Sequence, residues 1–258
     1  MQYNQLHNRG IAIEKVAVGD RVWQFIRFVV VTGMIFAISF FAINFTAYKQ
    51  ILANTLNPEA QAKAEQVLND ATGSTKISNE DSIKLLPVLP DKKETRKTFK
   101  WIDFPIAPTD NRIVIPKLGQ SVPLVDMTTE HIEGENWADL EDQIQGGLRN
   151  GVVHYPGTAK PGQYGNVFIT GHSSYYPWDS GKFKDVFALL GKLEPGDEFV
   201  VYYNQARHKY LVYDKFEVQP DNVDVLEQPK DKKIATLMTC TPVGTALRRL
   251  IIKAEEIG

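Results

Sequence analysis

Between Arg27 and Lys49 the chain runs for 21 residues without a charge: FVVVTGMIFAISFFAINFTAY, Phe28 to Tyr48. A helix rises about 1.5 Å per residue, so the run spans about 32 Å, enough to cross a bilayer's hydrocarbon core. No other backbone form satisfies its own amides and carbonyls in lipid within a single segment. A cleaved signal peptide is the competing reading. Its apolar core runs to about 7–15 residues and ends at a small-x-small site. This run is longer, and no such site follows. The expectation is a single-pass anchor over residues 28–48. Arg9, Lys15, Arg21 and Arg27 precede it, whereas Lys49 and then Lys63 follow. Basic residues flank spans on the cytoplasmic side. Residues 1–27 are therefore expected in the cytoplasm, with the rest of the chain outside the cell membrane.

That topology bears on Cys240, the single cysteine among 258 residues. One cysteine forms no intramolecular disulfide. A lone thiol in an oxidising space is a liability unless it is buried or does chemistry. The net charge of −2 gives no reason to expect nucleic-acid binding.

Residues 49–110 read as a stalk or linker. Asn57-Pro58-Glu59 has the form of a helix start, with Asn at the cap and Pro in the first turn. A helix is expected from there to Gly73, followed by polar and charge-rich sequence. WIDFPIAP carries Trp101, Phe104 and Ile106, which are expected to pack on the flank of the next domain. From residue 111 to 258 the pattern changes to about eight short strands with turn signals. ENWADLEDQIQGGL and GKFKDVFALLGKL interrupt them as two short helices. The expected fold is mostly β: a closed or nearly closed antiparallel-rich barrel with two short helices.

Cys240 ends one predicted strand, and TPVG makes a turn into the next. The two strands should be neighbours, which brings an arginine beside the thiol. A guanidinium there favours thiolate, or stabilises an oxyanion during acyl transfer. On this segment alone an inert buried cysteine stays equally open. A cysteine nucleophile also needs a proton partner. His172 ends the strand NVFIT after Gly171, and His154 follows GVV ahead of a Pro-Gly turn. Both are candidates by pattern. No His or Cys spacing suits a metal, so neither metal nor cofactor is expected.

The stretch TLMTC-TPVG-TALRR-LII closely resembles the TLxTC signature of the sortases, in the TCTPxG…RL form. GVVHYPGTAKPGQYGNVFITGHSS resembles the family's histidine region with its PGTAxPG loop, and RIVIPKLGQSVPLV its first strands. The resemblance covers about residues 111–257. It implies an eight-stranded barrel and a membrane-anchored cysteine transpeptidase. Such enzymes cleave an LPxTG-type sorting signal on secreted proteins between Thr and Gly, through a thioacyl enzyme. They then transfer the acyl group to an amine, either a cell-wall precursor or a pilin lysine. Carried over, Cys240 is the nucleophile, His172 the acid and base, and Arg249 the catalytic arginine, with Arg248 facing away. Met238 and Thr239 are expected to line the peptide groove, with Tyr175, Tyr176 and Trp178 as an aromatic wall.

Two weaker features are a lid at Asp103-Phe104-Pro105, where packing on the domain's flank is the competing reading, and a calcium cluster at Glu130, Glu133 and Glu135, for which a solvated acidic loop is preferred. Two rival functions also stay open: a peptide-binding module without catalysis, and a hydrolytic cysteine protease. Neither rival needs Cys, His and Arg together with an amine acceptor.

Overall fold

The computed structural model describes residues 18–72, 108–127 and 137–258. Contacts divide the chain into two units, residues 1–43 and 44–258.

Within the first unit, α1 (Val18–Ile43) is a single apolar helix. Its stretch Arg21–Ile43 has a mean hydropathy of 2.3 in its most apolar window and no buried surface. The helix starts before the uncharged run and stops short of its end. Asn44 forms a turn, and residues 45–48 open the next helix, where Ala47 is fully buried.

The second unit begins with α2 (Phe45–Leu56) and α3 (Pro58–Thr72). The expected helix from Asn57 is therefore present as α3. The segment read as a stalk nevertheless supplies two helices that pack on the barrel. Ile51 of α2 packs against the main core, and Leu68 of α3 covers Val114, Val200 and Tyr202. Gln61 donates to the Lys117 carbonyl at 2.6 Å, and Lys192 bonds to Asn54. Gly119, at φ 63°, lies so near α3 that a Cβ there would sit 3.3 Å from Ala64. The helix α2 is hidden in the sequence because its first residues continue the apolar run of the span.

Eight strands close the barrel: β1 (Arg112–Ile115), β2 (Gln120–Asp126), β3 (Val152–His154), β4 (Gly165–Thr170), β5 (Glu198–Tyr203), β6 (Ala206–Val218), β7 (Lys233–Thr241) and β8 (Arg248–Glu256). Their order around the wall is β1-β2-β3-β4-β7-β8-β6-β5. β2 with β3 and β4 with β7 run parallel, and the other pairs are antiparallel. The β5–β6 hairpin turns at Asn204 and Gln205, both at positive φ (49° and 64°). Two such residues match the right-handed twist of the flanking strands.

Alternation sorts each strand into an inner and an outer face. Phe199, Val201 and Tyr203 point into the barrel core, whereas Val200 and Tyr202 face outward under Leu68. α4 (Trp137–Leu148) covers another outer face, with Leu140, Ile144 and Leu148 one turn apart against Val153. The second expected helix, in GKFKDVFALLGKL, is not an α-helix. It forms turns and a 3-10 turn over Leu190–Lys192. Its apolar spacing looks helical, but Val186, Phe187, Leu189, Leu190 and Leu193 all enter the core. Long-range bonds also claim its backbone: Gln120 donates to the Val186 carbonyl, and Phe187 N–H to the His172 carbonyl. Among the described residues there are thus four α-helices, one of them within the barrel sequence. Asp103 to Pro105, Glu130, Glu133, Glu135, Trp101, Phe104 and Ile106 lie outside the described residues.

Candidate active site

Strand register brings the three expected residues level. Thr170 at the end of β4 stands opposite Met238 of β7. The pairing runs on past β4: Gly171 N–H donates to the Met238 carbonyl at 3.1 Å, and the Thr239 hydroxyl donates to the Gly171 carbonyl at 2.8 Å. His172 lies two residues beyond Thr170, and Cys240 two beyond Met238. Cys240 in turn pairs with Arg249 of β8. Strands lie about 4.8 Å apart, so Cys240 and Arg249 stand side by side, and counting on from the last β4–β7 pair brings His172 level with Cys240.

The alternation of side chains fixes the face. Phe168, Met238 and Ile251 pack together outside the barrel beneath Val225. Cys240 and Arg249 lie two positions from Met238 and Ile251, so they share that outer face. Cys240 is partly exposed there. Gly171 is required at the approach to His172, because a Cβ there would lie 2.6 Å from Phe187 and 3.0 Å from Val152.

Arg248 and Arg249 part ways. Arg249 donates from Nη1 to the Ala246 carbonyl at 3.1 Å and to the Arg248 carbonyl at 3.3 Å, so its guanidinium folds onto the β7–β8 turn. Arg248 instead pairs with Glu217 at 3.4 Å, with both side chains 47% exposed.

The His172 ring stacks on Tyr175 at 4.3 Å. Tyr175 meets Tyr176 edge-on at 5.2 Å, and Tyr176 stacks on Trp178 at 5.0 Å. This ladder runs outward to Trp178, which is 73% exposed. Burial pushes the His172 pKa below its ordinary value, with the Asp179 carboxylate working against it. Near neutral pH the imidazole is therefore mostly uncharged. Asp179 is itself held low, first by the Gly181 amide and also by Arg149.

The expected groove residues divide. Met238 is partly exposed beside Cys240. Thr239 is 3% exposed, with its hydroxyl committed to Gly171, so it lies beneath the row as a strut. Strand alternation carries the reason: Thr239 turns from the face that Met238 and Cys240 share.

His154 has a different setting. Its side chain is 3% exposed. Nδ1 lies 2.9 Å from Asp126, and Nε2 lies 2.9 Å from the Ala159 carbonyl and 3.1 Å from the Thr158 hydroxyl. The spacing imitates an Asp-His-hydroxyl relay, but the Thr158 proton goes to the Tyr155 carbonyl at 2.7 Å. Carboxylate, carbonyl and hydroxyl oxygens thus enclose both ring nitrogens. Asp126 also accepts from Tyr203 at 2.5 Å and pairs with Lys160 at 3.4 Å. Sequence reasoning had no signal for this network, since its hub Asp126 lies 28 residues from His154 and 77 from Tyr203. His208 is likewise committed, to Glu256 at 2.9 Å. His7 and His131 lie outside the described residues.

Comparison with known proteins supplies the remaining context. The family model described as "Sortase domain" matches residues 113–257. Sortase D of Bacillus subtilis (strain 168) is 25% identical over 233 residues, covering 89% of this chain and 96% of that protein. Sortase A of Bacillus anthracis is 26% identical over 148 residues, covering 57% and 59%. Among solved structures, a Clostridium perfringens sortase D5 transpeptidase is 30% identical over 58% of this chain and 79% of its own, with a TM-score of 0.44. Sortase C1 of Streptococcus agalactiae is 26% identical over 57% and 67%, with a TM-score of 0.45. With its closed barrel and a domain match over more than half its length, this chain belongs to the sortase family.

Proposed function

We propose that this sortase is a cysteine transpeptidase that cleaves an LPxTG-type sorting signal between Thr and Gly and passes the acyl group to an amine. The observation that carries the reading is the row of His172, Cys240 and Arg249 across β4, β7 and β8. In this mechanism neutral His172 takes the Cys240 thiol proton, becoming the imidazolium, and the thiolate attacks the threonine carbonyl carbon. The carbonyl π bond opens to an oxyanion, and the Arg249 guanidinium stabilises that charge. The C–N bond then breaks. The His172 imidazolium gives its proton to the departing glycine amine and becomes neutral. A thioacyl enzyme remains. An incoming amine attacks the thioester carbonyl, neutral His172 takes the amine's proton, and the thiolate leaves. Cys240 is partly exposed, and an incoming peptide or cell-wall amine requires such access. Met238 and the ladder of Tyr175, Tyr176 and Trp178 line the approach for the sorting signal, and Thr239 holds the strand ends together from below.

In the same reading α1 anchors the enzyme in the cell membrane with the N-terminus in the cytoplasm. Residues 49–110 and the catalytic domain, 111–258, lie outside. There the enzyme meets secreted proteins, and it attaches them to the envelope or joins pilin subunits. The test incubates the full chain in detergent with LPxTG-type peptides and a panel of amines, and reads product masses. Amide product in the wild type and none in Cys240→Ala is the expected result. Hydrolysis alone with every amine would point to a protease, and processing by the alanine variant would remove Cys240 from the mechanism.

A further inference from the structure

Resting on that reading, we infer that Tyr48, on the helix that follows the apolar span, is a positioning residue for the catalytic row. The Tyr48 hydroxyl donates to the Val243 carbonyl at 3.1 Å, joining residues 195 positions apart. Val243 sits in the β7–β8 turn, three residues after Cys240. The same turn carries the Ala246 carbonyl that receives the Arg249 guanidinium at 3.1 Å. Tyr48 and Arg249 therefore bond carbonyls of the same turn, three residues apart.

Both ends of this brace are anchored. On the helix side, Ala47 is fully buried, Asn44 is 6% exposed, and Ile51 packs against the main core. On the turn side, Thr245 closes the loop internally, with its N–H and hydroxyl donating to the Pro242 carbonyl at 2.9 and 2.8 Å. The turn is bonded within itself, and Tyr48 ties it to the helix. A guanidinium that hydrogen-bonds loop carbonyls takes its position from the loop. Displacement by a fraction of an ångström at such a group is felt in rate, because orientation supplies much of the barrier reduction. In the chain, only four residues separate Tyr48 from the end of α1, so the segment that continues the span also sets the geometry of the turn beside the nucleophile.

Tyr48→Phe in the full chain in detergent removes the hydroxyl and keeps the ring. The expected result is a fall in kcat of about three- to tenfold, with KM within about twofold and a thermal midpoint lowered by no more than about 4 °C. In an Arg249→Ala background the same substitution should add no further loss, because no guanidinium remains to be placed. Wild-type kcat in the single variant, or an equal loss in both backgrounds, overturns the proposal. If the wild type turns over no sorting peptide, the reading of function fails instead. The rate of Cys240 alkylation by iodoacetamide at neutral pH then decides: slower labelling in Tyr48→Phe sustains the brace, and equal rates refute it.

Discussion

Two histidines at strand ends show how this molecule separates structure from chemistry. His154 is sealed, and both its ring nitrogens are already held by Asp126 and the Ala159 carbonyl. His172 rests against Tyr175 and, among the described residues, has no hydrogen-bond partner at its ring nitrogens. Burial also keeps it mostly neutral near pH 7, ready to accept a proton. A triad-like spacing thus marks the committed histidine, and the one proposed as acid and base is the one left uncommitted. A buried polar group that is fully satisfied rigidifies its surroundings. The Asp126–His154 network does this for the strand ends of β2, β3 and β5 and for the loop after β3.

The sharpest way to break the contrast is at the arginines. Arg249→Ala should lower kcat by about 10²–10³-fold, the usual cost of one oxyanion-directed donor. Arg248→Ala should cost no more than about threefold, since it gives up only an exposed ion pair with Glu217. Equal losses in steady-state assays would undo the assignment of Arg249 to the row.

A smaller effect is expected from His154→Ala. It leaves the Ala159 carbonyl and Asp126 short of a buried donor, at a cost of about 2 kcal/mol. The thermal midpoint should drop by about 4–8 °C while kcat per folded molecule stays near wild type. The same network predicts a pH dependence. Burial works to raise the Asp126 pKa, but hydrogen bonds from Tyr203 and His154, with the charges of His154 and Lys160, hold it below the ordinary value. Its contribution to stability is therefore present above about pH 4 and is lost as pH falls through the lower folded value. Asp126→Asn should flatten acid-induced unfolding in that range. An unchanged acid limb in circular dichroism would remove Asp126 from the account.

The finest test is electrostatic. Asp179 raises the His172 pKa against burial, so Asp179→Asn should lower it further. Histidine NMR titration reads this directly, and a shift upward would mean that Asp179 does not act on the ring.

Much of this was legible in the sequence. The strand pattern, the Cys240 turn and the arginine beside it follow from alternation and a short connection, and the register between β7 and β8 bears them out. Pattern alone left His172 and His154 both open, and the resemblance chose His172; the bonds that commit His154 to Asp126 and the loop after β3 were not legible. The turns around Leu190 read as a helix because core burial imitated helical spacing. The contact of Tyr48 with Val243 left no local trace, and α2 itself was masked by the apolar run that precedes it.

The most direct test of the central claim quenches the full chain during turnover of an LPxTG-type peptide and measures intact mass. His154→Ala should accumulate a thioacyl adduct on Cys240 as the wild type does, and His172→Ala should show almost none. An adduct that persists without His172 and disappears without His154 would contradict the account.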